Sequence, residues 1–174
     1  MDIFHAIKTL RAVRQYTAQS VGDEIITRIL EAGRWAGSSK NTQPWQFIVV
    51  KNRETLNRLS ECGRFSSHLR DAAFALIVVT DATARADFDS GRAIENMMLA
   101  AWGDGVGSCI ASMHQEADAK KILAIPENLK LQHAIAFGYP RPDVTPTIEG
   151  KPLPDVLAQM GRRSLDEIVH REQW

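Results

Sequence analysis

A turn-prone segment of nine residues, from Gly37 to Trp45, separates a helical pattern from a strand pattern, and the rest of the chain is organised around it. Small and amide-bearing side chains fill the segment, and Pro44 favours an extended backbone at Gln43. A polar loop between two regular elements is a common place for ligand contacts. The side-chain amides of Asn41 and Gln43 each offer a donor and an acceptor, which suits a ring edge of alternating C=O and N. The alternative is an ordinary helix-to-strand turn, because turns are rich in the same residue types.

Hydrophobic periodicity divides the remaining chain into helices and strands. Apolar residues at helical spacing predict helices over 2–10, from Asp23 to about residue 36, and over 53–61, 90–102 and 117–124. Apolar, β-rich runs predict strands over 45–50, 74–80 and 131–137, with a fourth near Ile110. The segment 62–70 is predicted to be irregular, and apolar residues between 156 and 169 predict a C-terminal helical piece.

The segment near the C-terminus is rich in proline. Five of the seven prolines lie between residues 140 and 154. Such a segment favours an extended chain that packs poorly inside a core. The sequence therefore predicts an arm, and the tail that begins with it is a candidate for reaching across to another subunit.

Length and charge limit the class of protein. The chain has 174 residues, which suits a single domain, and Lys+Arg and Asp+Glu balance at 21 each. That balance gives no sign of a nucleic-acid partner. The sequence contains neither a signal-peptide layout nor an apolar run long enough for a membrane span. The two cysteines are far apart and predict reduced thiols, so we expect a cytoplasmic protein.

The known catalytic motifs are missing from the sequence. There is no Gly-x-Ser-x-Gly elbow and no phosphate-binding Walker loop, and the five histidines lack metal-ligand spacing. Alternate glycines at 103, 105 and 107 follow a helix and precede a strand, the reverse of the dinucleotide-binding order. Cys109 lies between apolar residues, which favours an inert thiol. If the protein is an enzyme, we therefore expect a bound cofactor to carry the chemistry.

Two arginines near the N-terminus offer a possible anion site. Arg11 and Arg14 are three residues apart at the end of a predicted helix, where paired guanidinium groups could grip a phosphate. The alternative is a solvated pair favoured by the helix dipole.

Five segments, in this order and spacing, resemble the nitroreductase family of flavin-dependent oxidoreductases. The most specific is the Asn-x-Gln-Pro-Trp sequence that begins at Asn41. Together the five cover nearly the whole chain, and they are residues 11–16, 37–47, 105–110, 137–140 and 162–169.

The resemblance implies an α+β fold with a mainly antiparallel central sheet flanked by helices. It implies one FMN-binding domain over residues 1–174 and an intertwined homodimer, in which a C-terminal arm over 140–174 reaches the partner subunit. Two FMN sites would then lie at the subunit interface. The sites of such an obligate dimer exist only in the assembled pair.

The same resemblance implies a set of cofactor contacts. The phosphate would be held by the segment Arg11, Ala12, Val13 and Arg14 together with Arg162 and Arg163. The loop residues Ser38, Ser39, Asn41 and Gln43 would contact the flavin of the other subunit. Backbone at Ile110, Ala111 and Ser112 would lie against the isoalloxazine, with a main-chain N–H facing its reactive N5. No metal site and no essential side-chain acid, base or nucleophile is expected.

Several positions depart from the family pattern. Leu10 stands where an arginine is usual, Ala12 replaces a serine, and Gly37 replaces a proline. Phe65 and His68 lie near positions where many relatives hold the pyrimidine end of the flavin with an Asn and a Lys. A protonated His68 would stabilise reduced flavin there, and the alternative is a surface-loop histidine. The chain also lacks an insertion that covers the site in some members.

The implied activity is FMN-dependent transfer of hydride from NAD(P)H, by way of flavin N5, to a nitroaromatic, quinone or similar electron-poor acceptor. Because both substrates would use one flavin face in turn, ping-pong kinetics are expected. Two alternatives stay open: other redox chemistry on the same fold, such as dehalogenation, oxidation or flavin cleavage, and flavin binding without turnover.

Overall fold

A computed structural model describes residues 2–143 and 160–174 of the chain. It contains four strands and five α-helices within that part. The helices are α1 (Ile3–Thr9), α2 (Asp23–Arg34), α3 (Arg53–Ser60), α4 (Ala84–Gly103) and α5 (Glu116–Leu123). The strands are β1 (Trp45–Val50), β2 (Phe74–Thr80), β3 (Gly107–Ala111) and β4 (Lys130–Gly138). Short 3₁₀ turns occur at Ser39–Asn41, Ser67–Leu69 and Leu165–Glu167.

The strands form one antiparallel sheet in the order β1-β2-β4-β3. Trp45 pairs with Thr80, Phe74 pairs with Phe137, and Gly107 pairs with Gly138. The predicted α+β class with an antiparallel sheet and flanking helices is confirmed. The three long predicted strands are correct to within a residue at each end, because each is an apolar run bounded by turn residues.

Both faces of the sheet are covered, which explains why β2 is buried along its whole length. On one face Leu56 of α3 and Ala119 of α5 pack against Ile77. On the other face Ile29 of α2 and Met97 of α4 belong to the core that contains Leu76, Ile135 and Phe137. The rings of Phe74 and Phe137 stack with centroids 4.9 Å apart.

Helix starts follow side-chain caps more closely than apolar periodicity. The side chain of Asn52 accepts a hydrogen bond from Thr55 N at 2.9 Å and starts α3 where predicted. Helix α4 begins at Ala84, six residues before the predicted start at 90, because Thr83 accepts a hydrogen bond from Ala86 N at 3.2 Å. The added turns carry polar residues and Phe88, which is exposed, so the core-facing pattern begins only later.

The N-terminal segment lies along the outer edge of β3. Val13 N donates to Ser108 O at 2.9 Å, and Ala12 forms a parallel bridge with Ser108. Val13 packs so closely that a Cβ on Gly107 would lie 2.6 Å from its side chain. The buried Tyr16 hydroxyl donates to Val13 O at 2.5 Å and fixes the segment further along. These contacts attach residues 11–16 to the sheet.

The C-terminal predictions fall partly outside the described residues. Most of the proline-rich arm and the apolar residues 156 and 157 lie in 144–159, which the structure does not describe. Over 165–169, where a helical piece was expected, only the short 3₁₀ turn Leu165–Glu167 forms. Leu165, Ile168 and Val169 are exposed there. The single-domain organisation and the exchange of an arm between subunits stay predictions.

None of the helices in the described part of the chain has the length and apolarity to cross a bilayer.

We expect Gly107→Ala to lower the free energy of unfolding by about 1–3 kcal/mol, because the added methyl must displace Val13. Gly91→Ala is the matched control, since a Cβ on Gly91 meets nothing within 4 Å and alanine favours a helix. Urea unfolding at one protein concentration measures both variants. Equal stability of the two would show that the N-terminal segment is not packed against β3.

Candidate functional site

Two arginines from opposite ends of the chain lie close enough to repel one another. Burial lowers the pKa of Arg11, and the nearby positive charge of Arg162 lowers it further. Arg11 also donates through Nη1 to Lys8 O at 3.0 Å and to Leu10 O at 2.8 Å, which holds the side chain at the end of α1. Two like charges held together favour an anion between them. Arg163 follows Arg162 and is exposed.

Arg14 faces a different part of the molecule. It lines a cavity of about 1060 Å³ together with His68. Its charge also lowers the pKa of the Cys109 thiol, although burial dominates there and raises that pKa overall. Of the four arginines predicted to share one phosphate, the structure thus brings Arg11 and Arg162 together and directs Arg14 towards His68.

His68 is a buried residue, with only 5% of its surface exposed, so the alternative of a surface-loop histidine is wrong. Its Nε2 lies 3.3 Å from Cys109 O, which makes Nε2–H the donor in that contact. The pKa of His68 lies below its ordinary value because burial, the largest effect, lowers it. The hydrogen bond with Cys109 O raises the pKa and the charge of Arg14 lowers it, and burial prevails. The ring is therefore neutral near pH 7, and the hypothesis of a protonated His68 is not supported.

The loop between α3 and β2 is fastened to the end of β3. Gln115 N donates to Cys62 O at 2.9 Å, and Arg64 N donates to the His114 Nδ1 at 3.3 Å. A Cβ on Gly63 would lie only 2.3 Å from Ser112 O, so this close approach requires glycine. The contacts place His68 beside the strand end that carries Ile110, Ala111 and Ser112.

Ile110 and its neighbours offer an apolar surface at that strand end. Ile110 is 41% exposed although it lies within β3, whereas Ala111 is buried and Ser112 is exposed again. The Ser108 side-chain oxygen is buried and has no hydrogen-bond partner among the described residues. Such orphaned polar atoms are uncommon in folded proteins and are found at binding sites.

The loop before β1 holds a conformation that ordinary residues avoid. Lys40, Asn41 and Gln43 have positive φ angles of 52°, 56° and 47°. Each costs about 1 kcal/mol or more, and residues of this kind cluster at functional sites. The extended backbone predicted at Gln43 is therefore wrong, because Gln43 N instead donates to Ser38 Oγ at 2.9 Å and closes the loop.

An acidic residue of α4 anchors the same loop. Asp89 is 2% exposed and accepts a hydrogen bond from Ser39 N at 2.9 Å. Arg92 lies one turn further along α4, and a Cβ on Gly37 would come within 2.7 Å of its Nη2. Glycine in place of the usual proline at position 37 therefore leaves room for Arg92. Nothing in the sequence pattern had singled out Asp89 or Arg92, because their roles depend on a contact across some 50 residues.

The two groups of predicted ligand contacts lie at opposite edges of one sheet. The loop 38–43 leads into β1, whereas 110–112 ends β3, and β2 and β4 separate these strands. Three spacings of about 4.8 Å place the two edges roughly 14 Å apart. Asn41 and Gln43 are exposed at their edge. One copy of the chain does not bring both groups around one small ring.

The site fits an anionic group joined to a flat, mixed-polarity ring. Arg11 and Arg162 suit the anion, and the neutral His68 and the backbone at the end of β3 suit a ring edge. In the described part of the chain no three His, Cys, Asp or Glu side chains converge on a metal position. Cys62 and Cys109 are buried with raised pKa values, which disfavours nucleophilic chemistry.

Comparison with known proteins identifies a family and relatives to which this chain is similar. The family model described as "Nitroreductase family" matches residues 7–63 and 60–139. A protein of Archaeoglobus fulgidus named as an NADH dehydrogenase/NAD(P)H nitroreductase is 33% identical over 178 residues, which cover 97% of this chain and 96% of that protein. The NADPH-flavin oxidoreductase of Vibrio harveyi is 28% identical, over 79% of this chain and 66% of that protein.

Solved structures share the fold. The crystal structure of an NADH dehydrogenase/NAD(P)H nitroreductase from Parabacteroides distasonis superposes with a TM-score of 0.82 at 25% identity, and the match covers 98% of both chains. The similarity extends over nearly the whole chain, so this chain shares the fold of that structure.

We expect the stability of the protein to fall as the pH drops below about 6.5, partly because of His68. Burial disfavours protonation of the ring in the folded protein, so below about pH 6.5 the unfolded chain binds a proton at His68 more readily. Proton binding then stabilises the unfolded chain relative to the folded protein. His68→Gln should flatten the dependence of unfolding free energy on pH between 7.5 and 5.5.

Urea unfolding at fixed protein concentration measures that slope, and His170→Gln, which removes an exposed imidazole, is the control. A slope unchanged by His68→Gln would mean that the ring is not buried as described.

Proposed function

The chain belongs to the nitroreductase family, and from this premise we propose that it is an oxidoreductase that binds FMN and transfers hydride from NAD(P)H to an electron-poor acceptor such as a nitroaromatic compound or a quinone. The observation that carries the proposal is the match of the nitroreductase family model to residues 7–63 and 60–139. Arg11, whose pKa is lowered by burial and by the positive charge of Arg162, marks where the phosphate of the cofactor would bind. FMN, when bound, supplies the hydride acceptor and donor of both half-reactions. The amino acids of the chain bind it, orient it and stabilise its charge.

The phosphate end of the cofactor would be held by Arg11 and Arg162, with Arg163 nearby. Guanidinium groups form charge-assisted, bidentate hydrogen bonds with phosphate oxygens. The usual serine hydroxyl is missing at Ala12. Ser108 pairs with Ala12 across the strand edge, and its buried hydroxyl has no hydrogen-bond partner in the part of the chain that the structure describes.

The ring end would lie between the end of β3 and the residues Arg14 and His68. A neutral His68 donates a hydrogen bond to Cys109 O and keeps the wall of the site rigid. Arg14 then supplies the positive charge that favours an electron-rich ring, since arginine stays protonated in proteins. No step requires a side-chain nucleophile.

The complete site would need a second copy of the chain. The loop 38–43 lies at the sheet edge opposite Ile110, so its contacts with a ring at Ile110 would come from a partner. Exposed apolar residues of α1 and the C-terminal segment support burial in a dimer, and they are Ile3, Phe4, Ile7, Leu165, Ile168 and Val169. An exchanged arm over 140–174 and alternating use of one site by two substrates belong to the same proposal.

We expect the purified protein to show flavin absorption that bleaches when NADPH or NADH is added without air.

Arg11→Gln and Arg162→Gln should each weaken FMN binding about tenfold or more, since a charge-assisted hydrogen bond contributes roughly 1.5–3 kcal/mol. Arg58→Gln, an exposed change on α3, is the matched control. Fluorescence titration of the apoprotein with FMN measures the affinities, and a protein that takes up no FMN would refute the proposal.

A mixed dimer tests whether one site draws on both copies. One chain carries Arg11→Gln and Arg162→Gln, and the other carries Ser39→Ala and Asn41→Ala. Each homodimer should bind FMN weakly at both sites. In the mixed dimer one site combines the intact loop of the first chain with the intact arginines of the second, so about one FMN per mixed dimer should bind at wild-type affinity. If the mixed dimer binds no better than either parent, the two groups of residues do not share a site.

A further inference from the structure

The cavity beside Arg14 and His68 is strongly basic, although the chain as a whole has no net charge. Five arginines line it, at positions 14, 53, 64, 70 and 141, against a single aspartate, Asp71. Its volume of about 1060 Å³ is large enough for a small organic molecule. Because the cavity extends well beyond the residues assigned to the cofactor, it offers room for a second ligand.

Some of these arginines already have partners. Arg53 donates through Nη1 to Arg70 O. Arg141 forms a bidentate pair with Asp143, at 3.1 Å from Nε and 2.6 Å from Nη2. These two side chains therefore stabilise the wall of the cavity, and their charges are less available to a ligand.

The charge available to a ligand comes from Arg64 and Arg70. Within 2–143 and 160–174 neither guanidinium group makes a hydrogen bond or an ion pair, and both side chains are exposed. Arg64 follows Gly63, which touches Ser112, so it stands between the cavity and the end of β3. Arg70 follows the turn that carries His68. Two free guanidinium groups beside a hydride-transfer site favour an oxyanion on the reacting molecule.

An exposed aromatic ring accompanies these charges. Phe65 lines the same cavity and is 76% exposed. A single exposed phenyl ring does not by itself indicate a binding site. Phe65, however, lies between Arg64 and the buried Ser66, in a loop that hydrogen bonds hold in place next to the end of β3. Its face can stack on a ring whose anionic group reaches the arginines.

We propose that this cavity binds the oxyanion of an aromatic substrate, with Phe65 against the ring and Arg64 and Arg70 on the phosphate or carboxylate. This inference rests on the proposed function, because the cavity is assigned to a molecule that exchanges hydride at the neighbouring site. Two sources have this chemistry: the adenosine 2′-phosphate of NADPH and an acceptor that carries an acidic group.

Matched substrate pairs distinguish the sources. NADPH and NADH differ only in the 2′-phosphate, while 4-nitrobenzoate and 4-nitrobenzamide differ in charge but hardly in shape. Steady-state kinetics with FMN-loaded protein give KM for each member while the other substrate is held constant. The variants are Arg64→Gln, Arg70→Gln and their combination. Arg58→Gln, which removes one positive charge outside the cavity, is the control for each single variant.

In the double variant we expect KM to rise about tenfold for the member of one pair that carries the extra 2′-phosphate or carboxylate, and to change less than about twofold for the member that lacks it. A rise for NADPH alone assigns the cavity to the 2′-phosphate, and a rise for 4-nitrobenzoate alone assigns it to the acceptor. Higher salt should raise the same KM in the wild-type protein. Equal values in wild-type and double variant for both pairs would overturn the inference.

Failure of the proposed function has a different signature. If the wild-type protein turns over neither pair, calorimetric titration with 4-nitrobenzoate and 4-nitrobenzamide still tests the cavity, and equal or absent binding of the two overturns the inference. If the double variant loses FMN from its visible spectrum, the arginines belong to the cofactor site and the inference fails while the proposed function stands.

Discussion

The antiparallel pairing of β2 with β4 is the contact on which the rest of the structure depends. Those two strands form the buried centre of the sheet, so β1 and β3 become its edges. Most of the residues assigned to ligand binding are attached to one edge or the other: the strained loop 38–43 lies before β1, and Val13, His68 and Ser112 lie beside β3. Arg162 comes from the C-terminal segment instead. A change of strand order would separate these groups, whereas most changes on the helix surfaces would leave them in place.

Strain and repulsion are concentrated at these edges. Three residues of the loop hold positive φ, and two guanidinium groups lie together near the N-terminus. The core of Phe74, Phe137 and Met97 supplies the stability that holds such features in place. A site that is strained when empty is already shaped for its ligand, so less of the binding free energy is spent on ordering it.

Most helices and strands were predictable from sequence because their signals are local, whereas the antiparallel arrangement of the sheet was expected only from the resemblance to a family. Apolar runs predicted the strands and periodicity predicted the helices, except that α4 begins six residues early, at the Thr83 cap, and that only a short 3₁₀ turn forms at Leu165–Glu167. The candidate site was predictable in part, through short segments that resemble a family. Asp89, Gly63 and the cavity arginines were not predictable, because their neighbours are distant in sequence and appear only when the chain folds.

His68 shows why residue type alone misassigns a role. A histidine near a flavin suggests a titrating positive charge, yet burial and the charge of Arg14 both favour the neutral ring. Arg14 is the better source of charge, because its positive charge acts to lower the pKa values of both His68 and Cys109. The two residues therefore have different functions. The histidine holds its loop against the backbone of Cys109 by a hydrogen bond, and the arginine provides the positive charge.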